Sequence, residues 1–426
     1  MSRFPTIIFG TIGVLLVILL IAFIFGIGRK QSSLPPASLT ITGIESPEIM
    51  RDVINNFHEK NQNVNVTYEQ IDPANYEQTL INRMAEGQAP DIFFLKNTWV
   101  TKHKDKIYPL PQDLLRVSVS DIEHAFADGA FSDLITSSNQ ILGVPITFNI
   151  PVLLYNKDIF NNAGIAKEPK TWDDVVATSH ALTQKTSAGD VAQSGIALGA
   201  YQNVDHAFEI ISAMILQEGD PIINPSTNQA VLDIRAKNAV SFYTSFADPQ
   251  NQNYSWDKRF DNSLDSFSEE KTAMVIAFSG DLARIQAKNP HLNFGILPFP
   301  QKSDTARRVV YADYIFPTVS RTSPNPLSAW QFGLFLASKD SAKRFADGTG
   351  LAPARRDLIS ENPASSLSQA FYRQALIART WPVPNEPAVR NLFGNMISSI
   401  LSKKSSPSEA LDRMRDELGL LIPRPQ

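Results

Sequence analysis

Positions 6–28 form an almost unbroken apolar run that carries no charge. A helix of that length rises far enough to cross a hydrocarbon core of about 30 Å. A cleavable signal has a shorter apolar core followed by a small-x-small site; Gly26-Ile27-Gly28 is a poor version of one. The run therefore reads as an uncleaved transmembrane anchor. Arg3 precedes it and Arg29 and Lys30 follow it, so the flanking charges do not set its orientation. Residues 29–38 are polar with a proline pair and read as a linker.

Beyond the linker the pattern changes to alternation and helical spacing. Leu39-Thr40-Ile41-Thr42-Gly43 alternates as a strand. Ser46-Pro47-Glu48 then gives a hydroxyl cap, a first-turn proline and an acid at the positive helix end. Ile49, Val53, Ile54 and Phe57 follow at helical spacing. Val64, Val66 and Tyr68 predict a second strand, and a helix from about Pro73 carries Tyr76, Leu80, Ile81 and Met84 on one face and stops at Gly87. Ile92-Phe93-Phe94-Leu95 is a continuous apolar run, as in a strand covered on both faces. This order predicts a parallel sheet with helices packed on it.

The same grammar recurs downstream. Strands are predicted over 141–144, 152–155, 195–198, 273–278 and 294–297, and helices over 205–217 and 230–246. Thr171-Trp172-Asp173-Asp174 has the hydroxyl-x-x-acid form of a capping box. Helices dominate from 326 onward. Asp173-Asp174 and Glu269-Glu270 fall at helix starts or polar faces, where capping explains them better than acid–base chemistry.

Composition narrows the chemistry. Hydrophobic residues make up 43% of the chain and charged residues 19%, a globular balance. The net charge of −4 gives none of the basic footprint that nucleic acid requires. There is no cysteine, hence no disulfide, thiolate or lipidated cysteine anchor. The six histidines lack the close helical spacing of a zinc site, and no nucleophile elbow or phosphate loop is present. No catalytic residue, metal or cofactor is assigned.

Several segments in order resemble the ABC-transporter extracellular solute-binding proteins of family 1, the sugar-binding group that includes maltose-binding protein. They are Ala89-Pro90-Asp91-Ile92-Phe93-Phe94 with Trp99-Val100, and Gly143-Val144-Pro145 with Leu153-Leu154-Tyr155-Asn156-Lys157-Asp158-Ile159-Phe160 and Pro169-Lys170-Thr171-Trp172-Asp173-Asp174. Lys271-Thr272-Ala273-Met274 leading to Ser279-Gly280-Asp281, Phe294-Gly295-Ile296-Leu297-Pro298, and Thr349-Gly350-Leu351-Ala352-Pro353-Ala354-Arg355 complete the set. The resemblance implies an α/β, two-lobed periplasmic-binding-protein-like fold of type II. Lobe one is expected at 39–148 plus 281–322, and lobe two at 149–280 plus 323–424. It also implies a small-molecule ligand, an oligosaccharide, held between the lobes, and ABC permease subunits as partners. With the anchor, the main domain would lie outside a cell membrane. A surface sensor signalling without transport is the alternative of another class, and a glycan hydrolase a third.

Ligands of open α/β sheets lie beyond the carboxyl ends of strands, which directs attention to Glu45 and to the Lys96, Asn97 and Trp99 loop. Phe148 and Asn149 occupy the expected hinge crossing. By resemblance, Tyr201, Asp281, Tyr311, Asp313, Tyr314, Trp381 and Phe393 are the further candidates for the cleft. Two departures bear on ligand identity. Tyr311-Ala312-Asp313-Tyr314 stands where the family has a glycine pair, and Asp281 where an aromatic is common.

Overall fold

A computed structural model describes residues 35–423, apart from 220, 225–226, 304–306 and 362–365. The apolar run at 6–28 lies outside the described residues. Among those described, no helix is long and apolar enough to cross a membrane.

The first sheet forms as the pattern predicts. β1 (Ala37–Gly43), β2 (Val64–Gln70) and β3 (Ile92–Lys96) are parallel, with β1 in the middle. The returning strand Ile315–Val319 adds antiparallel to the outer side of β3. Asp91 explains part of the Ala-Pro-Asp segment. Its buried carboxylate accepts from the Thr40 amide at 2.9 Å and the Thr40 hydroxyl at 3.1 Å, and also accepts from the Ser323 hydroxyl, tying the start of β3 to β1 and to the chain leaving the returning strand. Helix Pro47–Lys60 is capped by the Ser46 hydroxyl and buries Met50, Val53 and Phe57. The helices Pro326–Leu336 and Lys339–Thr349 pack beside it on the same lobe.

The second sheet is antiparallel, with Val152–Asn156 between Met274–Ala277 and Phe294–Pro298. Gly295 is required there: a Cβ would stand 2.2 Å from the Tyr155 ring. The Asn156 side chain, fully buried, accepts from the Asp158 and Ile159 amides and starts the next helix. The Thr171 capping box forms as expected, and Trp172 Nε1 donates to Gln217 at 2.8 Å. Helices Ala207–Gln217, Ile234–Ser245, Glu386–Leu401 and Pro407–Leu421 pack together on this lobe.

Two predicted strands are absent. Ile141 makes an isolated bridge to Ile135, and 195–198 is buried without a ladder. An apolar run reports burial, not a pairing partner. Here the Gly195 amide donates to Thr183 Oγ1 and the Ala197 amide to the Met274 carbonyl, so these two groups find partners without a ladder.

The chain crosses between the lobes more than once. Thr147–Phe148 pairs with Ala352–Pro353, Asn149 with Asp313, and Val310–Tyr311 with Ala378–Arg379. Phe294–Pro298 is an edge strand of the second sheet, and the helices Pro326–Leu336 and Lys339–Thr349 pack with the first.

Candidate functional site

β1 and β3 run parallel, so their carboxyl ends open on one edge of the first sheet. β1 delivers Glu45 to that edge, and β3 delivers Lys96 followed by a short helical turn, Asn97–Trp99. The second lobe meets this edge with the first turn of helix Glu386–Leu401 and of helix Ala207–Gln217.

Glu386 is the centre of the contact. Its carboxylate accepts from Lys96 Nζ at 2.8 Å, Thr98 Oγ1 at 2.6 Å and Trp99 Nε1 at 3.0 Å, all from the first lobe. Within its own helix it accepts from Arg390 Nε at 2.9 Å. Arg390 also pairs with Glu209 and lies 4.5 Å over the Phe208 ring. Lys96 reaches a second acid, Asp313, at 3.3 Å in the crossing segment. Trp99 stacks on Tyr76 with centroids 6.4 Å apart, and the Tyr76 hydroxyl donates to the Phe94 carbonyl in β3 at 2.7 Å.

Burial sets the proton affinities and the partners modify them. Burial opposes the charge on Glu386, but Lys96, Thr98 and Arg390 outweigh it and hold the carboxyl down at about 2. Burial alone would depress Lys96; Asp313 and Glu386 reverse that and hold it above its ordinary value. Asp313 goes the other way. Burial pushes it up, Lys96 opposes only in part, and Glu209 and Glu386 add to the rise. Glu45 is pushed up to about 7 by burial.

The expected residues divide. Trp99, Asn149, Tyr201 and Asp313 lie along this contact, whereas Glu45 follows β1 with its carbonyl accepting from the Tyr68 hydroxyl at 2.8 Å. Tyr201 is half-buried, its ring against Gly394, and burial pushes its hydroxyl up to about 12 beside Arg390. Asn97 is buried as a brace: its amide donates to the Tyr314 carbonyl at 3.0 Å and its Oδ1 accepts from the Tyr314 amide at 3.3 Å. Tyr314 is buried against Phe148 and donates to Asp133 at 2.9 Å. Phe148 and Tyr311 are likewise almost fully buried, and Tyr311 packs edge-on to Phe208. Trp381 and Phe393, expected at the cleft, instead sit in the second lobe's core on Phe208, and Trp381 Nε1 faces Ser212 at 3.3 Å. Asp281 holds His206 Nε2 at 2.7 Å and accepts from the Phe278 amide.

Glu386, Arg390, Glu209 and Thr98 were not singled out by sequence. Glu386 and Arg390 stand four apart and read as an ordinary surface pair on a helix. Only the fold brings Lys96 to Glu386. An open groove on the first lobe, lined by Phe57, Lys60, Phe335 and Arg344, shares no residue with this contact. Among the described residues no group of three or more His, Asp or Glu is placed to hold a metal.

The profile of the bacterial extracellular solute-binding protein family matches residues 43–343. The chain belongs to that family. It is thus an ABC-transporter solute-binding protein, a receptor and not an enzyme, built on the two-lobed α/β fold of its relatives. The receptor is 26% identical over 384 residues to the sn-glycerol-3-phosphate-binding periplasmic protein UgpB of Shigella dysenteriae, a match spanning 82% of this chain and 84% of the relative. Its fold is similar to the sugar-binding protein MalE from Xanthomonas citri, with a TM-score of 0.76 at 17% identity, covering 90% of this chain and 97% of that one. It is similar also to the cyclic alpha-maltosyl-1,6-maltose binding protein from Arthrobacter globiformis, with a TM-score of 0.77 at 17% identity, covering 91% and 99%. The solute-binding proteins of this family lie outside the cytoplasm, which assigns the two-lobed domain of the receptor to the same side.

Proposed function

We propose that the receptor is anchored to the cell membrane by the apolar run 6–28, captures a carbohydrate between its lobes, and hands it to an ABC import permease. The observation that carries the reading is the polar contact between lobes: Lys96, Thr98 and Trp99 from one side and Glu386 with Arg390 from the other. A pocket that binds sugar needs aromatic faces and a few placed polar groups. Trp99 and Tyr201 supply the faces, and Glu45, Asn149 and Asp313 the polar rim. The names of the two structural neighbours above support a sugar as the solute class. Hinge closure then follows from the ligand's greater affinity for the closed form.

The name of the curated relative favours a second reading, in which the solute is a phosphate ester such as sn-glycerol 3-phosphate. A thermal-shift panel of oligosaccharides, sn-glycerol 3-phosphate, polyamines and peptides separates the two. A ligand that binds only the folded state stabilises it by about 2.7 kcal/mol at a hundredfold excess over its Kd. A shift with oligosaccharides is expected; a shift confined to another class removes the carbohydrate reading. Cell fractionation of the full chain, with the protein recovered in the membrane pellet and released by deletion of 1–34, tests the anchor.

A further inference from the structure

The bonds between the lobes leave an imbalance in hydrogen-bonding capacity. The donors are committed. Lys96 faces Glu386 and Asp313, Arg390 faces Glu386 and Glu209, and Trp99 Nε1 faces Glu386. The unmatched atoms are acceptors. Glu209 is only 4% exposed, and its Oε2 has no donor. Asp313 Oδ1 and Asn149 Oδ1 are sealed from solvent and lack donors as well, and the two residues face each other through paired backbone bonds of 2.8 and 2.9 Å. Around this spot the acids Glu209, Asp313 and Glu386 outnumber the cations Lys96 and Arg390. Each carboxylate shares its cation with a neighbour, and buried acceptor atoms without donors are costly to maintain.

A group that meets these acceptors has to donate, and a positive charge serves better than a neutral hydroxyl. We propose that the cleft takes an amino sugar whose protonated amine sits against Asp313 and Glu209. This rests on the carbohydrate reading and narrows it. The hydroxyls of such a ligand supply donors to Asn149 Oδ1, and its amine balances the excess acid. A phosphate ester finds the opposite: its oxygens need donors, and Lys96 and Arg390 are already paired. The elevated proton affinity of Asp313 fits the same picture, because Lys96 alone does not balance its burial.

Calorimetry on the full chain in detergent tests this with three probes: the glucosamine disaccharide, its N-acetylated counterpart and sn-glycerol 3-phosphate. The amine-bearing disaccharide is expected to bind roughly tenfold or more tightly than the acetylated one, the difference a charged hydrogen bond makes over a neutral one. Glu209→Gln and, separately, Asp313→Asn should weaken the amine-bearing disaccharide by more than they weaken the acetylated one, which erases the preference. Two variants are needed because either could disturb folding, which a melting curve reports. Equal or weaker binding of the amine-bearing sugar overturns the inference and leaves the carbohydrate reading standing. Tightest binding of sn-glycerol 3-phosphate overturns both.

Discussion

At the scale of single residues, the useful distinction is between groups that burial perturbs and groups that a partner perturbs. Glu45 belongs to the first kind. Its carboxyl moves from an ordinary 4.5 to about 7 with burial as the cause. The folded state thus binds the proton more tightly than the unfolded chain does. The contribution to stability is complete below 4.5 and is lost as pH rises through 7. Glu45→Gln removes the titration. Urea unfolding at pH 5 and pH 8 should show the wild type losing stability between those values by more than the variant does, and parallel losses would mean that Glu45 stays ionised in the fold. Trp99 belongs to the second kind. Trp99→Phe keeps a ring on Tyr76 but deletes the Nε1 bond to Glu386. A hydrogen bond to a charged group contributes about 1.5–3 kcal/mol, so the closed form should lose stability of that order relative to the open one, read as a larger unliganded radius of gyration by small-angle scattering. An unchanged radius would show that the indole nitrogen contributes nothing to the contact.

At the scale of elements, much was legible, and the exceptions have physical causes. Caps announce themselves locally. The Thr171 hydroxyl accepts from the Asp174 amide while the Asp174 carboxylate accepts from the Thr171 amide, both at 3.2 Å, and the tetrapeptide alone predicted it. Thr171→Ala should cost about 1 kcal/mol in thermal or chemical unfolding, and Thr171→Ser should restore most of it. An unaltered Ala variant would remove the box from the list of determinants. The parallel first sheet was equally readable, since alternation and helical spacing are properties of neighbours in sequence. The strands expected at 141–144 and 195–198 failed because a ladder needs a partner that a local pattern does not contain. Candidate site residues met the same limit. Glu45 and Trp99 follow strands, and that position alone marks them. Glu386 meets Lys96 from 290 positions away, and nothing near either residue announces the other. Trp381 and Phe393 show the converse: an aromatic near the expected place in sequence was drawn into the core by Phe208.

At the scale of the molecule, the bonds to Glu386 join parts that otherwise fold on separate sheets, so their energy acts on closure more than on either lobe. Glu386 is 9% exposed and held at about 2. Its folded value is depressed, so the stabilisation is present above 4.5 and lost as pH falls toward 2. Removing one member of a buried ion pair costs about 3–5 kcal/mol, because the other charge is left uncompensated. Glu386→Gln preserves shape and removes the charge that faces Lys96. Opening lets Lys96 regain water, so the variant should relieve the penalty by parting the lobes rather than by unfolding. The expected result is a larger radius of gyration by small-angle scattering in the unliganded variant, with circular dichroism unchanged. Binding should weaken in proportion, because apparent affinity scales with the fraction of molecules able to close: a fall to a tenth weakens binding by about tenfold. Saturating ligand should return the variant to the wild-type radius. If the unliganded variant and wild type scatter alike and bind alike, the contact is a passive consequence of closure, and the ligand alone drives the lobes together.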